Sequence, residues 1–127
     1  MIFGIGIDIT KIERMKLAVE RWGERFLMRV FTKREVEYSY TKKDPYPSLS
    51  VRFAAKEAFI KAIGRRPFPF REIEVVNLES GMPVIEVKGG LERFLREHGI
   101  SRVHLSLTHE REYGIACVIL EKLPHIS

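Results

Sequence analysis

The chain is poor in cysteine, in long apolar runs and in leader signals, and each shortage excludes something. A single cysteine, Cys117, among 127 residues leaves no partner for an internal disulfide. It lies in the apolar run GIACVIL and reads as a core residue, which suits a reducing compartment. No apolar run approaches the roughly 20 residues that span a bilayer, so no membrane-spanning helix is expected. The amino-terminal MIFGIGIDI shows neither a basic leader nor a cleavage site, and a cytoplasmic protein is expected. HExxH and paired-cysteine spacings are missing, which argues against zinc. G-x-S-x-G is missing too, and with it the nucleophile elbow of a serine hydrolase. GIGIDI lacks the third glycine of a dinucleotide fingerprint, and its glycines fall inside the presumed strand rather than after it.

What remains is an ordinary globular composition, 45% hydrophobic and 31% charged, with a net charge of +5. With no internal repeat, low-complexity tract or linker, residues 1–127 read as one domain. The excess of basic charge either marks an acidic partner or simply aids solubility. It is concentrated in Lys11, Arg14, Lys16, Arg21, Arg25 and Arg29, against Glu13, Glu20 and Glu24. A basic nucleic-acid-binding module without enzymatic activity would share this balance. It would also carry an RNP, KH or helix-turn-helix signature, and none is present.

Periodicity predicts an α+β fold, a mostly antiparallel sheet packed with a long central helix. Residues 2–8 read as a strand apolar enough to be buried. Residues 10–22 read as a helix with Ile12, Met15, Val19 and Trp22 on its apolar face, broken or bent at Gly23. Thr32-Lys-Arg-Glu35 matches a capping box and opens a helix through about Tyr40. DPYP (44–47) reads as irregular. The longest helix is expected from Ser48 to Ile63, ended by Gly64. Strands follow at 73–79 and 83–87, a helix at 91–99, and strands at 102–108 and 113–121.

Three stretches carry possible chemistry. Asp8 ends an apolar strand, where it either caps the next helix or holds a metal ion. Glu57 and Lys61 stand one helical turn apart, either a surface ion pair or, with Asp8, a unit for polarising a phosphate. Arg52, Lys56 and Lys61 form a cationic group around that acid. In HLSLTH, His104, Ser106 and Thr108 share one strand face, either as solvated polar surface or as site residues.

GIGIDITKIER, FTKRE (31–35), RFAAKEAFIKAIG (52–64), REIEV (71–75), GMPVIEV (81–87) and HLSLTH (104–109) follow one another as in a known family. Over essentially its whole length the chain resembles the 4′-phosphopantetheinyl transferases of the small bacterial holo-[acyl-carrier-protein] synthase type. The resemblance implies transfer of 4′-phosphopantetheine from coenzyme A to a serine hydroxyl of apo-acyl carrier protein, with release of 3′,5′-ADP, as a step of fatty acid biosynthesis. It implies Mg²⁺ held by Asp8 and Glu57, and Lys61 on the pyrophosphate beside the leaving group. Arg52 and His104 match positions near the nucleotide phosphates, with Gly64 and Ser106 beside them. Met82, Pro83 and Val84 match a segment that contacts the adenine from a neighbouring subunit, because the family forms homotrimers with active sites between protomers. Arg14 matches a position that grips the acidic carrier helix; Arg21 and Arg25 extend it. Two departures stand out: Ile7 where many relatives have threonine, and the short RRPFPF loop, in which only Arg65 or Arg66 could replace phosphate contacts.

Overall fold

Alternation along the first strand sets the architecture. In the computed structural model, which describes residues 1–124, the elements run β1 (Ile2–Lys11), α1 (Ile12–Val30), α2 (Lys33–Ser39), α3 (Tyr46–Ala62), a 3₁₀ turn (Phe70–Glu72), β2 (Ile73–Asn77), β3 (Pro83–Val87), α4 (Gly89–Glu97), β4 (Ile100–His109) and β5 (Tyr113–Lys122). The long strands form an antiparallel sheet in the order β1-β5-β4, and β2 and β3 form a separate hairpin. The expected α+β architecture is present.

Side chains alternate along a strand, so Gly4, Gly6, Asp8 and Thr10 line one face of β1. Helix α3 lies against that face, too close for a side chain. A Cβ on Gly4 would stand 1.8 Å from the Ala62 carbonyl oxygen, and one on Gly6 1.8 Å from that of Ala58. Small residues on both sides bring strand and helix into backbone contact, and the next residue in the glycine row is Asp8. The core continues from this seam through Ala54, Phe59, Ile73, Leu91, Val118 and Leu120.

Burial of β1 is one-sided, contrary to expectation. Ile5, Ile7 and Ile9 point to the other face and are 62%, 63% and 58% exposed, because α3 covers only the glycine side. The register sets Cys117 and Ile119 of β5 beside them, with His104 and Ser106 of β4 one strand further on. Cys117 is therefore half-buried on this open face rather than in the core.

Helix α1 also departs from expectation. It starts at Ile12, because Thr10 and Lys11 still pair with β5, and it continues past Gly23 to Val30. Gly23 has φ 59° and ψ −142°, a conformation that glycine adopts without strain, and the helix kinks there. Met15, Val19, Leu27 and Val30 are buried, whereas Trp22, at the kink, is 57% exposed and carries the Arg21 guanidinium 5.0 Å from its ring centre. The capping box forms as expected. The Thr32 N–H donates to Glu35 Oε1 at 2.9 Å, and the Glu35 N–H donates to Thr32 Oγ1 at 3.3 Å.

Helix α3 begins two residues earlier than expected, within DPYP. Pro45 is its N-cap and Pro47 lies in the first turn, where a missing N–H costs nothing. Its end is a Schellman motif: the Gly64 N–H donates to the Lys61 carbonyl at 3.1 Å, and the Arg65 N–H to that of Ile60 at 2.8 Å. Both residues have positive φ, 83° and 64°.

Candidate active site

Asp8 meets α3 where the glycine row ends. Lys61 Nζ donates to Asp8 Oδ1 at 3.0 Å and to the Ile7 carbonyl at 3.0 Å, and Thr10 Oγ1 reaches Asp8 Oδ2 at 3.5 Å. The pair is only partly buried, with Lys61 33% and Asp8 18% exposed, so its attraction is screened by water. Asp8 is thus bound to α3 rather than capping α1, whose N-cap is Lys11 with no side-chain cap bond. Thr10 shares the face of Asp8 through the strand's period of two, a relation already present in the sequence spacing.

Glu57 has no cation within ion-pair distance among the described residues; the lysine one turn along pairs with Asp8 instead. Burial, then the charge of Asp8, raises the Glu57 pKa above the usual carboxylate value, while Lys61 and Arg65 pull it down. Asp8 and Glu57 line the same cavity of about 320 Å³, with Arg14, Phe26 and Phe53. Among the described residues no group of three or more His, Cys, Asp or Glu could hold a metal. Two mutually repelling carboxylates are nevertheless a fitting donor set for a hard divalent cation that completes its shell with water and substrate phosphate.

Lys56 does not belong to this cationic group. It is fully buried on the opposite side of α3, where it donates to Glu35 Oε1 at 2.8 Å, to the Phe70 carbonyl at 3.0 Å and to the Ile73 carbonyl. Arg52 is also buried. Its guanidinium donates to Ser48 Oγ at 2.9 Å and to Asn77 Oδ1 and stacks 4.5 Å from the Tyr38 ring centre, leaving Nε unpartnered. Desolvation is the main influence on it and lowers its pKa. Arg52, Tyr38 and Asn77 line a groove of about 480 Å³ with Pro83, Thr108 and His109. Nothing in RFAAKEA marks Tyr38 or Asn77 as companions of Arg52; both come from distant segments.

Met82 is exposed at the hairpin tip, Gly81 having φ 91°, and Val84 pairs with Val76. His104 and Ser106 stand apart from the acids. Asp8 shares its sheet face with Ala116 and Leu107, whereas His104 and Ser106 lie on the open face, so one chain does not bring them together. His104 Nε2 lies 2.9 Å from Glu121 Oε1, and this hydrogen bond lowers the Glu121 pKa. On α1, Arg14 reaches the acid cavity, Arg21 is exposed on Trp22, and Arg25 lines a second groove with Trp22, Phe26 and Arg29. In the loop after α3, Gly64 supplies the helix stop. Arg65 has no hydrogen bond or ion pair through its side chain among the described residues and stays near enough to Glu57 to lower its pKa, while Arg66 turns away to sit 4.8 Å from the Phe94 ring centre.

Two acids, a lysine and an arginine gathered beside a basic helix are the equipment of a transferase that handles phosphate-bearing substrates. Comparison with known proteins narrows the class. A profile described as the 4′-phosphopantetheinyl transferase superfamily matches residues 4–118. A holo-[acyl-carrier-protein] synthase of Halothermothrix orenii is 47% identical over 124 residues, covering 96% of this chain and 99% of the relative. The crystal structure of the Neisseria meningitidis holo-[acyl-carrier-protein] synthase superposes with a TM-score of 0.89 at 37% identity, covering 96% of this chain and 100% of that one. A Bacillus anthracis holo-(acyl-carrier-protein) synthase, solved in complex with CoA (3′,5′-ADP), gives a TM-score of 0.80 at 32% identity, covering 97% and 99%. The chain belongs to the 4′-phosphopantetheinyl transferase superfamily.

Proposed function

We propose that this chain, acting as one catalytic domain, transfers 4′-phosphopantetheine from coenzyme A to a serine hydroxyl of an apo-acyl carrier protein, releasing 3′,5′-ADP. The observation that carries the reading is the meeting of Asp8, Glu57 and Lys61 at the seam of β1 and α3. In the transfer, the serine oxygen bonds to the phosphorus that carries pantetheine, and the bond from that phosphorus to the bridging oxygen breaks. The serine proton passes to water at the site or to the Glu57 carboxylate, and the bridging oxygen leaves with 3′,5′-ADP. Asp8 and Glu57 would hold Mg²⁺, which supplies positive charge to the diphosphate oxygens when bound. Lys61 neutralises charge growing on the leaving phosphate. Arg65 adds a second cation from the loop that shortens the family pattern.

The remaining residues bind and orient. Arg52 lines one groove with Pro83 and His109, and that shared groove supports a nucleotide-phosphate contact for Arg52 and the assignment of Met82, Pro83 and Val84 to the adenine. Arg14, Arg21 and Arg25 would face the acidic carrier, whose approach their charge accelerates. The open row Ile5, Ile7 and Ile9 supports a homotrimer: a neighbouring copy seated there would bury the row and could complete the site with His104 and Ser106. A cytoplasmic location accords with the reading, and no helix among the described residues is long and apolar enough to cross a membrane. Mass spectrometry of an apo-carrier incubated with the protein, coenzyme A and Mg²⁺ tests the proposal. One added phosphopantetheine is expected, and none on a carrier with its serine replaced by alanine. An unchanged mass for the unaltered carrier would refute the reading.

A further inference from the structure

Asp8 is already spoken for. Lys61 occupies Oδ1 at 3.0 Å and is steadied by the Ile7 carbonyl at 3.0 Å, and Thr10 approaches Oδ2. Glu57, on the same helix one turn before Lys61, is left without a cation in ion-pair distance among the described residues. The site thus holds one ammonium for two carboxylates, and the ammonium has taken the strand's acid. A divalent ion bridging Asp8 and Glu57 would share the Asp8 carboxylate with Lys61 and be repelled by it. A diphosphate offers Lys61 a competing acceptor of higher charge, and at one-third exposure the side chain is free to swing toward it.

We infer that Lys61 is a placeholder: it holds Asp8 until a diphosphate draws it away and opens Asp8 to the cation. This inference rests on the proposed metal role of Asp8 and Glu57. Cation and coenzyme A then bind cooperatively, and by linkage each tightens the other by the same factor. The bare enzyme binds the cation weakly, so the cation arrives with the diphosphate or after it. Lys61 acts twice, first positioning Asp8 and then contacting substrate.

Electron paramagnetic resonance titration with Mn²⁺, with and without saturating coenzyme A, tests this without reference to turnover. For the unaltered protein, coenzyme A is expected to tighten Mn²⁺ binding at least about fivefold. Lys61→Met and Lys61→Gln, each checked for folding by circular dichroism, are expected to bind Mn²⁺ alone at least about fivefold more tightly than the unaltered protein, with most of the cooperativity gone. Lys61→Arg keeps the charge and is expected to leave bare Mn²⁺ affinity within about twofold of the unaltered protein. Unchanged or weaker Mn²⁺ binding by both neutral variants would overturn the placeholder. Asp8→Asn and Glu57→Gln separate the two failures: if both bind Mn²⁺ as the unaltered protein does, the metal assignment itself is wrong.

Discussion

Two lysines on α3, five residues apart, each pair with a carboxylate at nearly the same distance. Lys56 lies 2.8 Å from Glu35, and Lys61 lies 3.0 Å from Asp8. The first pair has no exposed side-chain surface at all, while Lys61 is 33% exposed and Asp8 18%. Lys56 also donates to two backbone carbonyls, and Glu35 accepts from the N–H groups of Thr32 and Val75 at 2.9 Å each. Such a pair fixes helices α2 and α3 to β2 and has nothing left to offer a ligand. The second pair has spare capacity, a neighbouring acid with no cation, and an open cavity. Equal distances therefore conceal opposite roles, and burial and the number of satisfied bonds distinguish them.

The contrast breaks most visibly if the buried pair is cut. Lys56→Met leaves Glu35 charged and buried, and a loss of about 3–5 kcal/mol of stability is expected in denaturant unfolding. A loss under about 1 kcal/mol would make Lys56 no more structural than Lys61. Next in size is Glu57→Gln, which acts on chemistry alone. The rate of carrier modification is expected to fall about 100-fold or more, with the fold intact and the melting temperature not lowered.

These two residues are neighbours in KEAFIK, and their legibility differed for a physical reason. Helix α3 is buried nearly all round, so its apolar periodicity assigns no outward face, and a buried lysine looks like a surface one. The sequence marks its partner Glu35 as half of a capping box, which it is; that its second task is to bind Lys56 depends on tertiary packing. Asp8, Glu57 and Lys61 were legible because an acid ending an apolar strand demands a partner, and because the motif order resembles one family. The closeness of β1 and α3 at Gly4 and Gly6 emerges only in the structure, and alternation alone does not tell that the isoleucine face stays open. Trp22 leaves the apolar face that its spacing predicts, because Gly23 kinks the helix one residue later.

A smaller effect sharpens the contrast in the loop. Arg65 holds φ 64°, a conformation that costs a side-chain-bearing residue about 1 kcal/mol and glycine almost nothing. Arg65→Gly is therefore expected to leave thermal stability equal or higher while raising KM for coenzyme A about threefold, less so in high salt. Arg66→Gly, removing a side chain stacked on Phe94, is expected to leave that KM unchanged.

The smallest effect is in pH dependence. Burial and Asp8 raise the Glu57 pKa above its ordinary 4.5, so the native chain holds that proton to higher pH than the unfolded one. Stability contributed by this group is present below pH 4.5 and is lost as pH rises through the raised value. Thermal unfolding of metal-free protein across this range should show the decline, and Glu57→Gln should flatten it.

Anomalous diffraction from crystals soaked with Mn²⁺ and coenzyme A bears most directly on the account. A peak is predicted between β1 and α3, about 2.1 Å from an oxygen of Asp8 and one of Glu57, with Lys61 Nζ turned from Asp8 onto the diphosphate. A peak bound to neither acid, with Lys61 still on Asp8 beside bound coenzyme A, would contradict it.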